Sequence, residues 1–238
     1  MHRFLFPIFL TLASATRAQE PAQDKSATPS ASNPTSVANV GAELEAMQKT
    51  DQLHRIEIIE LERQHGESSP EVSEAWSKQD AIDAQNIRRL EEIIAQHGWP
   101  GSKQFGGKAA TAAFLILQHS DLGYQKRYLP LARDAAAKGD MPASGLALLE
   151  DRVRLREGRN QIYGSQVTKN AADEWEPLPL DDEANVDALR ARVGLPPISD
   201  YLKGFADRSG GRVNPKWAKT PDKKPNSDPT APRARGSP

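Results

Sequence analysis

Residues 108–121 read Lys-Ala-Ala-Thr-Ala-Ala-Phe-Leu-Ile-Leu-Gln-His-Ser-Asp. Apolar side chains from Ala109 to Leu117 cover nearly every face of the helix this stretch would form. A helix that is apolar all round has to be buried, so this one is expected at the centre of a helical core. It ends on Gln118, His119 and Asp121. Polar groups delivered to the end of a buried helix need hydrogen-bonding partners, which makes this the first place to look for a site. Gln118, Asp121 and Gln125 would share one face if the helix continued.

Working outward, the flanking segments also read as helices. Leu44, Met47, His54, Ile58 and Leu61 recur at helical spacings and predict a helix from near Gly41 to His65. Ser69-Pro70 has the form of an N-cap followed by proline at the first helical position, and predicts a second helix running to His97. Its apolar face carries Ile87, Leu90 and Ile94, and Asp80 and Asp83 are expected on that same face one and two turns earlier, with Asn86 next to them. Both helices end in Gln-His-Gly, which fits capping: His favours the C-terminal dipole and Gly supplies the left-handed residue. Gly98-Trp99-Pro100-Gly101 makes a turn into the central helix.

Downstream, residues 122–138 are helical in pattern, with Pro130 marking either a kink or a new start. Pro142 opens another helix with Leu146, Leu149 and Val153 as its stripe. Gln161 to Leu180 reads as a short strand, a turn at 169–173, and a proline-bearing edge strand, in which Gln161 and Tyr163 face the same way. Helix returns at 181–193 and once more after Ser199. The expected fold is mainly α: six or seven packed helices with one small β-hairpin near 161–180.

The ends differ from the middle. Residues 1–18 have a short cationic start, about 12 apolar residues and a Thr-Arg-Ala close, the form of a cleavable export signal rather than a spanning helix, which needs roughly 20. Residues 19–40, rich in Ala, Ser, Thr and Pro, read as a flexible tether, and 208–238 as a basic, proline-rich tail. The domain between them is 41–207. The whole chain carries −1. The signal carries +2, the tether −1 and the tail +6, which leaves about −8 on the domain. An acidic domain is poorly suited to nucleic acid. No second apolar run predicts a membrane span. The chain has no cysteine, so disulfides, thiolate metal sites and thiol nucleophiles are excluded.

No H-E-x-x-H, G-x-S-x-G, P-loop or G-x-G-x-x-G is present, and no motif calls for a metal or a cofactor. Candidate chemistry rests on polar clusters. His119 could be a general base or metal ligand if a carboxylate orients it, with Asp121 or Asp151 as that carboxylate. Asp151-Arg152, Gln161, Tyr163 and Gln166 form a second cluster suited to sugars, peptides or amides. Asp83 on an apolar face must pair, with Arg55 or Arg152 available. Asp51 and Arg55 look like a modest ion pair on the surface or between helices. The candidate binding residues are thus Asp83, Asn86, Gln118, His119, Gln125, Arg152, Gln161, Tyr163 and Gln166.

Taken together, Asp51-Gln52 with Arg55, then Asp83, Asn86, Gly98-Trp99-Pro100, Ala112 to His119 with Asp121, Asp151-Arg152, and Gly158 with Gln161, Tyr163-Gly164 and Gln166 resemble a family of uncharacterised, often exported bacterial proteins known only as a domain of unknown function. The resemblance covers about 44–196. Position 165, often Thr in that family, is Ser here. It implies a common fold and supplies no activity, substrate or cofactor. The expected role is a cell-envelope binding or interaction module with an envelope or extracellular partner. The alternatives are a hydrolase of an envelope polymer or peptide working through His119, and a purely structural domain.

Overall fold

A computed structural model describes residues 34–218. The export signal at 1–18, most of the tether and the far part of the tail lie outside the described residues. Helix α1 spans Pro34–His65, α2 Pro70–His97, α3 Ser102–His119, α4 Leu122–Ala137 and α5 Ala143–Arg156. Strands β1 (Val167–Lys169) and β2 (Glu174–Pro177) follow, then α6 (Val186–Arg192), α7 (Ile198–Ser209) and β3 (Arg212–Val213).

The all-round apolar helix is central as its composition requires. Ala109, Ala112, Ala113 and Leu117 are fully buried, and α3 packs against α1, α2, α4 and α5. The principal core joins Leu44 and Met47 of α1, Ile87, Leu90 and Ile94 of α2, Leu129 of α4 and Leu149 and Val153 of α5 around it. The caps follow the sequence. Ser69 accepts a hydrogen bond from the Val72 amide with Pro70 in the first turn, and Gly66 and Gly98 both adopt positive φ after their helices. α4 runs unbroken through Pro130.

A second, smaller core of Val167, Trp175, Leu180, Val186, Ile198, Leu202 and Phe205 holds the sheet against α6 and α7. The hairpin pairs antiparallel with Val167 opposite Pro177.

Five expectations need correction. Helix α1 begins at Pro34, and Val40 is buried, so 34–40 belong to the domain and not to a tether. α7 continues to Ser209 and β3 pairs in parallel with β2, so the tail's start at 208 lies inside the fold. Trp175 to Pro177 therefore sit in the middle strand of three and not at an edge. Helix within 181–193 is confined to α6. The segment 161–166 is loop: it makes only an isolated bridge from Gln161 to Leu180. Among the described residues no helix is long and apolar enough to cross a membrane.

Candidate functional site

His119 is the last residue of α3, where the apolar run gives out. Its Nδ1 lies 2.9 Å from both carboxylate oxygens of Asp51, on α1. The Asp51 side chain is 1% exposed and that of His119 8%. With the neutral ring donating Nδ1–H to the carboxylate, Nε2 carries the lone pair. Burial drives His119 down to about 4, and the neighbouring Arg55 and Arg152 charges push the same way against the pull of Asp51. Burial pushes the Asp51 carboxyl up, but His119 and Arg55 outweigh it and hold it below its ordinary value. At neutral pH the pair is a carboxylate and a neutral imidazole.

Arg55, one turn beyond Asp51, completes the α1 side. Its Nε donates to the Asp51 carbonyl at 3.0 Å, and its guanidinium pairs with Asp83 of α2. Gln79, one turn before Asp83, donates to the same carboxylate at 2.7 Å. Two i, i+4 pairs thus face one another across the α1–α2 seam. Burial of Asp83 outweighs its Arg55 partner and raises its carboxyl to about 6. Asn86, a turn further along, ties the helices together by donating to the Met47 carbonyl at 3.5 Å.

From α5, Arg152 is buried and within electrostatic reach of Asp51, Arg55 and His119. Arg156, four residues on, donates to the Ser120 carbonyl at 2.7 Å. Gln125 donates to the Gln118 and Ser120 carbonyls at 2.8 and 3.2 Å, and Gln118 to the Leu148 carbonyl at 3.4 Å. Gln125 thus braces the α3–α4 joint, and Gln118 ties the end of α3 to α5. Asp121 is exposed and caps α4 by accepting from the Tyr124 amide at 3.1 Å. It is not the group that orients His119.

Nor is Asp151. That carboxylate is fully buried and accepts the backbone N–H groups of Ile162, Tyr163 and Ser165 at 2.7, 3.1 and 2.9 Å. The loop 161–166 is wound around it. Gln161 closes the loop from inside, donating to the Gln166 and Leu178 carbonyls and accepting from the Gln166 amide. Buried Arg190 donates to the Tyr163 carbonyl at 2.6 Å and lies 4.6 Å over the Tyr201 ring. Tyr201 in turn donates to the Ser165 carbonyl at 2.9 Å.

Of the sequence candidates, Asp83, His119 and Arg152 therefore gather in one polar cluster. Asp151, Gln161, Tyr163 and Gln166 form a second that organises a loop, and Gln161 and Tyr163 are not strand neighbours facing one way. The two clusters touch at the consecutive pair Asp151 and Arg152. Sequence reasoning underrated Asp51 and missed Gln79, Arg156, Arg190 and Tyr201. A signal for Asp51 was present: 44, 47, 51, 55 and 58 continue one helical stripe, so Asp51 and Arg55 had to be inside. His54, placed on that stripe, is instead only half-buried beside Glu57. Among the described residues no three His, Asp or Glu side chains gather as a metal site would need.

No curated protein and no solved structure matches the chain. Residues 38–214 match the family of unknown function DUF6624, and the chain belongs to that family.

Proposed function

We propose that this is an exported binding module of the bacterial cell envelope, with His119 as the centre of its ligand site. The observation that carries the reading is the Asp51–His119 pair, 2.9 Å apart and almost fully buried. An efficient general base has a pKa near the working pH. A ring held near 4 by burial and two guanidiniums is a weak base but a permanent hydrogen-bond acceptor. Beside it lie the Arg55 and Arg152 guanidiniums, which are donor-only groups. That combination fits a hydroxyl or amide N–H next to a carbonyl or carboxylate, the chemistry of envelope peptides and glycans. The leader at 1–18 and the basic segment beyond the fold support an envelope location.

Co-sedimentation of the full chain with purified peptidoglycan sacculi tests the binding reading. Wild type is expected in the pellet and His119→Gln, checked for folding by circular dichroism, in the supernatant. Equal pelleting of the two would sink the assignment of His119. Fractionation of expressing cells tests export: a new N-terminus at Gln19 is expected, and an uncleaved cytoplasmic product would refute it.

A second reading, hydrolysis, draws on the same pair, because a carboxylate holding Nδ1 is also how a catalytic imidazole is oriented. Its mark would be soluble fragments released from sacculi by wild type and lost in Asp51→Asn.

A further inference from the structure

Helix α1 packs against α2 and α3, and its inner stripe of Leu44, Met47 and Ile58 is buried there. On the opposite side Ala42, Ala46, Lys49, Leu53, Ile56 and Glu60 are all exposed. They recur at alternating intervals of four and three residues, the spacing of a helix–helix seam. Among the described residues, Leu53 and Ile56 are the two large apolar side chains left exposed, at 59% and 51%. Single exposed apolar residues scattered over a surface are ordinary. These two are three residues apart and so adjacent on one helix face. We infer that this face docks a second copy of the chain, the two α1 helices packing antiparallel about a two-fold axis between Leu53 and Ile56.

The charges along the face select both the partner and the direction. A two-fold contact uses the same patch on both copies, so the patch must complement itself. When Leu53 of one copy meets Ile56 of the other, antiparallel helices set Lys49 of each copy opposite Glu60 of the other. Glu60 is already steadied on this face by Arg63 at 2.6 Å. In the same register Ala46 faces Arg63, whose apolar stem covers it, and Gln52 faces Glu57. No like charges meet. Parallel helices would instead set Lys49 on Lys49 and Glu60 on Glu60, which repel. The seam from 42 to 60 is about 27 Å long. One helix pair of that length buries less than about 1,200 Å² in total, the range of weak, reversible complexes. The net negative charge of both copies weakens the contact further. Asp51 and Arg55 lie on the inner side of α1, buried, so the inference does not rest on the His119 reading.

Sedimentation of the purified full chain from low micromolar to about 500 µM tests it. A monomer–dimer equilibrium is expected, with Kd on the order of 10–200 µM. Leu53→Glu and Ile56→Glu are expected to weaken it about tenfold or more while the melting temperature stays within about 2 °C, since both positions are exposed. Lys49→Glu and Glu60→Lys are each expected to weaken it about threefold or more, and the double variant, which restores both pairs in reversed order, to return within about twofold of wild type. His119→Gln is expected to dimerise as wild type does. The chain has no cysteine, so cross-linking reads the direction. Lys49→Cys mixed with Glu60→Cys is expected to form a disulfide between the two variants under mild oxidation. Neither is expected to join to itself, because like positions lie about 16 Å apart along the helices and a disulfide spans at most about 7 Å between Cα atoms. The inference is overturned if the chain stays monomeric at about 500 µM, if Leu53→Glu associates as wild type does, if the double charge variant is no tighter than the single ones, or if each cysteine variant cross-links to itself as readily as to the other.

Discussion

Asp51 and His119, 68 residues apart in the chain, meet through a 2.9 Å contact that joins the middle of the longest helix to the end of the most buried one. Both α1 and α3 also bury apolar stripes against each other, so the polar contact sits at the edge of a tight seam. Removing the carboxylate leaves the buried His119 Nδ1–H without its acceptor, at a cost of about 1–3 kcal/mol. Asp51→Ala is expected to lose that much in urea unfolding. The double-mutant cycle with His119→Ala should return a coupling of at least about 1 kcal/mol. Additivity within about 0.5 kcal/mol would mean that the two side chains do not hold each other.

The same cluster predicts two opposed pH slopes. Asp83 is raised from 3.8 to about 6. Its contribution to stability is fully present below 3.8 and is lost as pH rises through 6. His119 is lowered from 6.5 to about 4. Its contribution is present above 6.5 and is lost as pH falls through 4. Each is of the order of 3 kcal/mol, so between pH 4 and 6.5 they largely cancel in the wild type. Removing one should expose the other. Asp83→Asn is expected to gain stability relative to wild type as pH rises from 4 to 6.5, and His119→Asn to lose it. Unfolding midpoints measured every half unit decide the matter: difference curves that are flat, or of the opposite sign, contradict the assignment.

Asp151 makes a sharper prediction because three backbone amides, with the Ser165 side chain beside them, converge on it. Asp151→Asn keeps the shape but replaces one acceptor oxygen with a donor facing the amides of Tyr163 and Ser165. An orphaned buried N–H costs about 1–3 kcal/mol, and bonds to a charged acceptor are the stronger ones. A loss of about 3 kcal/mol is expected, with amide exchange at 162–165 accelerated ahead of α3. A loss below about 1 kcal/mol would show that the loop is held by Arg190 and Tyr201 instead.

What the sequence disclosed follows from range. Helices α1 to α5 were legible because stripes such as Ile87, Leu90 and Ile94 and caps such as Ser69-Pro70 act within a few residues. The pairing of Arg55 with Asp83 was within reach, since a carboxylate on an apolar face demands a cation. The Asp51–His119 contact is not legible locally, because Asp121 and Asp151 lie nearer in sequence and nothing local distinguishes a capping or loop-holding carboxylate from an orienting one. β3 was hidden for a similar reason. Arg212 and Val213 look like tail, and only Glu174 and Trp175 opposite them make a strand.

Gly164 offers the last test, in the loop around Asp151. Its φ is +66°, and a Cβ there would lie 3.1 Å from Ile198 Cδ1 and 3.4 Å from Leu180 Cδ2. Left-handed backbone costs an L-residue about 1–2 kcal/mol, and crowding two core side chains adds to that. Gly164→Ala is expected to lose about 2–3 kcal/mol. Gly107, in α3, meets nothing within 4 Å and lacks a positive φ. Gly107→Ala should therefore be neutral or gain up to about 1 kcal/mol. Chemical denaturation of the two variants side by side reads the contrast. Equal stabilities would mean that the 161–166 loop yields to the added methyl, and that neither the second core nor the Asp151 carboxylate fixes its backbone.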